Sequence, residues 1–281
     1  MKTEIYYFTG TGNSLFVAKK LKELLPDTEL IPIVGCIKNE NFTVKGKNAG
    51  FIFPCHGLTV PIPVRDFFKR IDPSSADYFF AVVTRGGSVF KGFKILDDYL
   101  KKSGKCLNAA FTVNMCLNDP KLYYFTVPTK DEKEEIKKNA LRKISKISKI
   151  ILDSGDYHED DNTGISFSNN AFLNKILEWL VPFATHFISP KIKKYFYADS
   201  KCTGCGICEK VCPSGKVKIV SGRPVWMPDV KCYLCYSCLN YCPYEAVQIY
   251  SKFWMKSYTE EKGRYPHPYA AAVDISRQKK L

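Results

Sequence analysis

Between Cys202 and Pro243 the chain reads C-T-G-C-G-I-C-E-K-V-C-P and, after a spacer, C-Y-L-C-Y-S-C-L-N-Y-C-P. Each half is a C-x2-C-x2-C-x3-C-P run. Three thiolates can come from one such loop, because the short spacings wrap the backbone around a four-iron cubane, and the fourth must arrive from elsewhere. Pro213 and Pro243 follow the fourth Cys of each run and turn the chain away from the metal. Gly204 and Gly206 let the backbone approach the sulfides without a Cβ in the way. Structural zinc and a disulfide framework are the alternatives. Zinc takes paired C-x2-C ligands, four to a site, and needs neither three cysteines in one run nor the prolines. Disulfides fit the spacing less well. The pattern points to two 4Fe–4S clusters.

The double run resembles that of bacterial two-cluster ferredoxins, in which the fourth ligand of each cluster comes from the other run. The resemblance implies Cys202, Cys205, Cys208 and Cys242 on one cluster, and Cys212, Cys232, Cys235 and Cys238 on the other. Eight of the twelve cysteines lie in this segment, which is too small to bury much apolar surface and is cross-linked by its clusters instead. With 281 residues, the chain has room for a separate, conventional core before it.

That core announces itself at the start. Ile5 to Phe8 reads as a short buried strand, followed by Thr9-Gly10-Thr11-Gly12-Asn13-Ser14 and then Leu15, Phe16, Val17, Ala18, Leu21, Leu24 and Leu25 at helical spacing. A strand, a loop rich in glycine and hydroxyls, and a helix N-terminus together welcome a phosphate. A P-loop is excluded, since no G-x-x-x-x-G-K is present, and the dinucleotide fingerprint lacks its third Gly. A loop for a terminal monophosphate remains.

The stretch Thr9 to Ser14 resembles the FMN-phosphate loop of flavodoxins, T-x-T-G-N followed by Thr or Ser. The resemblance implies that Thr9, Thr11, Asn13 and Ser14 bind the FMN phosphate, with Gly10 and Gly12 supplying close backbone. Further apolar segments read as strands at Thr28 to Val34, Gly50 to Phe53, Tyr78 to Thr84 and Leu107 to Val113, with helical patterns at Val64 to Ile71, Phe90 to Lys102 and Lys130 to Leu152. Alternating strands and helices predict an α/β fold, a flavodoxin-like doubly wound parallel sheet of order 2-1-3-4-5, joined to a small α+β two-cluster ferredoxin domain. In such sheets ligands sit beyond the carboxyl ends of the strands. Pro54, His56, Gly57 and Leu58 after strand three, and Thr84, Arg85, Gly86 and Gly87 after strand four, are therefore expected to flank the flavin ring. The paired aromatics that often sandwich the ring in short flavodoxins are missing. Cys36 and Cys106 read as packing residues, with Cys55 and Cys116 near the flavin edge.

The expected organisation is residues 1–155 for the FMN domain, 156–197 for a linker, 198–250 for the ferredoxin domain and 251–281 for a polar tail. Within the linker, Phe172 to Phe196 is an apolar segment broken at Pro182 and Pro190, expected to pack the domains together. Lys216 to Val220 and Gly222 to Met227 predict a hairpin. Met1-Lys2-Thr3-Glu4 leads straight into a strand, so no secretory signal is read, and Ile176 to Ile188 falls short of a membrane span. A cytoplasmic protein from an anaerobic or low-oxygen host is expected. The net charge of +14 suits a redox protein partner with an acidic face, no nucleic-acid motif accompanies it, and much of it is a solvated lysine surface.

The whole arrangement resembles flavodoxin–ferredoxin fusion proteins. That resemblance implies an electron-transfer protein linking two clusters, FMN and an external partner, and an electron carrier ahead of a substrate-specific enzyme. Two alternatives stand beside it: an FMN-dependent reductase of a small acceptor, fed by the clusters, and an iron–sulfur sensor or scaffold whose flavodoxin-like domain is empty.

Overall fold

The apolar runs pair into one parallel sheet. The computed structural model describes residues 2–120, 122, 125–159, 170–188, 196–249 and 263–281. Strands β1 (Thr3–Tyr7), β2 (Thr28–Pro32), β3 (Asn48–Pro54), β4 (Tyr78–Arg85), β5 (Ala109–Asn114) and β6 (Tyr157–His158) lie in the order β2-β1-β3-β4-β5-β6. Every neighbouring pair is parallel, with Ile5 opposite both Leu30 and Gly50. The first five strands have the expected order, and β6 adds a two-residue edge.

Alternation along the strands feeds two cores. Ile5, Tyr7, Ile52, Phe80 and Phe111 point to one face, under helices α1 (Asn13–Leu24) and α5 (Lys130–Leu152). Tyr6, Phe8, Phe51, Phe53 and Phe79 point to the other, under α2 (Ile33–Lys38), α3 (Ile62–Phe68) and α4 (Phe93–Lys101). Both faces are covered, which is why the strands carry almost no polar alternation. Helix α5 starts at a capping box, in which the Thr129 hydroxyl accepts from Glu132 N–H and the Glu132 carboxylate accepts from Thr129 N–H. It buries Ala140, Ile144, Ile147 and Ile151, spaced three or four apart.

Helix α6 (Ala171–Phe183) runs through Pro182 rather than breaking at it. The proline removes a donor only in the last turn, and the backbone continues as a π-helical turn over Ala184–Ile188; Pro190 lies outside the described residues. Leu177 and Val181 of this helix pack on Leu58 and Val89, and Glu178 pairs with Lys91 at 2.8 Å. Its buried contacts are thus to the loops beyond β3 and β4, while Phe172 and Trp179 on the opposite side are exposed. Among the described residues no helix is long and apolar enough to cross a membrane.

The second domain is small. Strand β7 (Phe196–Ala198) pairs antiparallel with β10 (Val247–Ile249), and β8 (Val217–Val220) with β9 (Arg223–Trp226) as the expected hairpin. Short helices α7 (Ile207–Val211) and α8 (Ser237–Asn240) each begin inside a cysteine run. The two domains share apolar clusters: Val211 and Tyr241 join the α1–α5 core, Tyr233 and Cys235 the opposite core, and Ile62 the cysteine-rich cluster.

The chain end is not irregular, as its composition suggests. Residues 263–281 run back across the junction and close with α9 (Ala272–Arg277), whose Ile275 is fully buried. Arg264 ties this segment to the ferredoxin-like domain, its guanidinium donating to the carbonyls of Leu239, Glu245 and Val247 at 3.1, 3.1 and 2.9 Å.

Candidate functional site

The six residues from Thr9 to Ser14 connect β1 to α1, and the fold requires them to be buried. Thr9, Thr11, Asn13 and Ser14 are all less than a tenth exposed. Gly12 caps the helix with φ of 108°, a left-handed conformation that a side chain resists. The Gly12 N–H donates to the Thr9 hydroxyl at 3.0 Å, and the Ser14 and Thr84 hydroxyls share a hydrogen bond of 2.7 Å. Asn13 donates through Nδ2 to Cys116 O at 3.0 Å, while its Oδ1 is buried without a hydrogen-bond partner.

Most of the loop's remaining backbone is held by distant segments. Gln278 accepts from Thr9 N–H at 2.9 Å and donates to Thr9 O at 3.0 Å, as a neighbouring strand would. Thr11 O accepts from His267 N–H at 2.7 Å and from the Tyr241 hydroxyl at 3.1 Å. Asn118 donates to the Thr11 hydroxyl. Ser237 donates to Gly10 O at 2.7 Å. At Gly10 the approach is so close that a Cβ would stand 2.3 Å from Cys235 O.

Beyond the loop lies a cavity of about 350 Å³, within the range of sites for cofactor-sized ligands. Thr9, Gly10, Thr11, Asn13 and Ser14 line one end. Pro54, Cys55, His56, Gly57 and Leu58 line one side, and Thr84, Arg85, Gly86 and Ser88 the other. All the flavin-loop residues read from the sequence therefore converge here, except Gly12 and Gly87, which do not line the cavity. His56 exchanges backbone hydrogen bonds with Thr59 at 3.1 and 3.2 Å and sets its ring edge-on to Phe8, 5.9 Å away. Arg85 donates to Asn114 Oδ1 at 3.0 Å and to Ser88 O at 3.2 Å.

Three walls of this cavity were not read from the sequence. The loop after β5 contributes Leu117, Asn118 and Asp119 beside Cys116. Helix α6 and its π turn contribute Val181 and Thr185, the latter sitting where a Gly57 Cβ would go. The cysteine-rich domain contributes Leu234, Cys235 and Tyr236. Only the first had a signal, in the end of strand five at Asn114-Met115-Cys116. A larger cleft of about 650 Å³ lies between α6 and the α3–α4 side and includes Trp179, Phe183 and Arg65, but none of the cysteine runs or loop residues Thr9 to Ser14.

The eight cysteines fall into two groups. Cys202, Cys205, Cys208 and Cys242 line one small cavity, and Cys212, Cys232, Cys235 and Cys238 another. Cys208 feels the charges of Cys242, Cys205 and Cys202, whereas Cys238 feels chiefly those of Cys212, Cys235 and Cys232. Burial pushes Cys208 and Cys232 up to about 11 and Cys235 up to about 12, and raises Cys238 as well. Thiolates at such positions need a compensating cation, which an iron–sulfur cluster would supply. Among the described residues no three His, Cys, Asp or Glu groups converge on a single ion position. Each set surrounds a cavity, an arrangement suited to a multi-iron cluster.

Residues 201–247 match the family model of the 4Fe-4S dicluster domain. No curated protein matches the chain in sequence. Among solved structures, the chain is similar to rubredoxin oxygen:oxidoreductase from the anaerobe Desulfovibrio gigas, with 20% identity over 52% of this chain and 36% of that one, at a TM-score of 0.31. A flavodoxin from the domain Archaea shares 13% identity over 53% of this chain and 99% of its own, at 0.35. NAD(P)H:quinone oxidoreductase from Methanothermobacter marburgensis shares 11% over 57% and 99%, at 0.37. The fold assignment rests on the sheet order itself. The chain joins an α/β domain with the flavodoxin-like sheet order to a segment, residues 201–247, that matches the 4Fe–4S dicluster domain.

Proposed function

We propose that this is an electron-transfer protein that binds one FMN and two 4Fe–4S clusters and exchanges electrons with an external redox protein. The observation that carries the reading is a shared wall. The cavity beyond the Thr9–Ser14 loop is closed by Cys235 and its neighbours, so the flavin-type site and the cavity of one cysteine set share Cys235 and Tyr236 as lining residues. A flavin takes electrons singly or in pairs and an iron–sulfur cluster passes them singly, so a chain holding both converts between the two.

The chain's own residues do the rest. Thr9, Thr11, Asn13 and Ser14 would hold the phosphate at the α1 N-terminus, where the helix dipole favours an anion. The loops Pro54–Leu58 and Thr84–Gly87 would flank the ring, and Val181 and Thr185 exclude water from one side. Cys202, Cys205, Cys208 and Cys242 would carry one cluster, and Cys212, Cys232, Cys235 and Cys238 the other. A partner with an acidic face suits the net charge of +14.

The test is anaerobic purification followed by iron, sulfide and flavin counts with an absorption spectrum. The reading expects about eight irons and one FMN per chain; zinc in place of iron together with no flavin would refute it. Asn13→Asp, which sets a negative charge beside the phosphate, is expected to lower flavin content at unchanged iron content. Equal flavin in that variant would remove the loop assignment.

A further inference from the structure

The two cysteine runs have the same length between ligands, so their loops can be compared residue by residue. In the first, Cys202-Thr203-Gly204-Cys205-Gly206-Ile207-Cys208, the glycines have φ of 73° and 77°. In the second, Cys232-Tyr233-Leu234-Cys235-Tyr236-Ser237-Cys238, the matching positions are Leu234 and Tyr236, with φ of 53° and 56°. Both loops adopt the left-handed conformation at the same two places, as a backbone wrapped around a cluster requires. The first meets this with glycine at no steric cost, while the second places large side chains in a conformation they resist.

Strain of this kind persists where surrounding structure imposes it, and it concentrates at functional sites. Here its destination is visible: Leu234 and Tyr236 both line the cavity beyond the Thr9–Ser14 loop. Cys235 lies between them, Cys235 O is against Gly10, and Ser237 donates to Gly10 O at 2.7 Å. The Ser237 hydroxyl is also 3.1 Å from Cys235 Sγ. The first loop contributes nothing to that cavity, and its Cys205 is exposed.

We infer that the Cys232–Cys238 loop is one wall of the flavin site, with Leu234 and Tyr236 as its flavin-contacting residues. The cluster held by Cys212, Cys232, Cys235 and Cys238 is then the one that exchanges electrons with the flavin, and the other is the port to the outside. This rests on the FMN and two-cluster reading above and adds the order. Tyr236 lines both cavities, its ring edge-on to Phe196 6.0 Å away beside the second cysteine set, so it stands between the two sites. In this order, reduction of one flavin consumes two electrons and two solvent protons. The electrons arrive singly through the exposed cluster, each oxidising one equivalent of an external one-electron carrier protein, and the steps reverse when the flavin is the donor. Ser237 is a positioning residue, donating its one hydroxyl proton to Gly10 O while its oxygen stands 3.1 Å from a ligand sulfur.

The test uses the full chain with clusters in place and flavin removed, titrated with FMN. Leu234→Gly and Tyr236→Gly are compatible with the left-handed backbone, so iron content is expected to hold while FMN affinity falls. A second measurement is independent of those variants. Ser237→Ala removes the hydroxyl dipole 3.1 Å from Cys235 Sγ and is expected to shift the potential of one cluster only. That same cluster is expected to be the one whose reduction speeds magnetic relaxation of the flavin radical. Unchanged FMN affinity in both glycine variants, or relaxation by the cluster whose potential did not move, would overturn the order. Failure of the unmodified chain to bind FMN at all would instead refute the functional reading on which the order rests.

Discussion

His267 offers a pH-dependent test of how the chain end is held. Its ring is buried, 4.8 Å from the Phe16 ring and 5.6 Å from the Tyr269 ring, and its Nδ1 accepts from Tyr269 N–H at 3.3 Å. Burial, reinforced by the nearby Lys137 ammonium, pushes its pKa down from 6.5 to about 4. A base whose pKa falls on docking binds fewer protons docked than released, so stability rises with pH between those two values and is lost on acidification through that window. The full shift corresponds to about 3 kcal/mol, of which about 2 kcal/mol is forfeited between pH 7 and pH 5. The affected event is release of the chain end, because His267 N–H donates to Thr11 O and Ala270 N–H to His267 O. Hydrogen exchange at those two amides, corrected for intrinsic rates, is the assay, and protection is expected to fall about twentyfold from pH 7 to pH 5. His267→Phe is expected to flatten the dependence. Equal protection at the two pH values in the unmodified chain, or the same fall in His267→Phe, would refute the reasoning.

Two further substitutions probe the junction. Gly10→Ala places a methyl group 2.3 Å from Cys235 O and must part the two loops, at a cost of about 1–3 kcal/mol. A lowered thermal midpoint together with reduced flavin content is expected, and an unchanged midpoint would show that the domains do not meet there. Arg264→Leu leaves the carbonyls of Leu239, Glu245 and Val247 without that donor, at about 1–3 kcal/mol for each that stays buried and unpaired. Faster iron loss to a chelator is the expected consequence, and wild-type kinetics of loss would count against the clamp.

The parts legible in the sequence were those encoded by short-range pattern. The cysteine spacings, five of the six parallel strands and the Thr9–Ser14 loop each depend on residues within a few positions of one another. Strand β6 was not legible because two residues cannot display a period. Pro182 reads as a helix break, but it falls in the last turn, where losing one donor changes the winding rather than ending the helix. The docking of the chain end was illegible for a different reason. Gln278 and His267 bond to backbone atoms, and a backbone partner has no side-chain signature to match. Leu234 and Tyr236 were visible as departures from the glycines of the first run, but their meaning depended on backbone angles and on the cavity they enter.

The paired hydrogen bonds between Gln278 and Thr9 join residues 269 positions apart. A ribosome releases the chain from its N-terminus at about 5–20 residues per second, so Thr9 emerges well before its partner. The parallel sheet can form in that interval, but the loop at its end waits for the dicluster domain and the last helix before its carbonyls and amides are satisfied. The loop after the first strand is therefore completed late, and a chain cut short before Gln278 would carry a sheet whose Thr9–Ser14 loop lacks these partners.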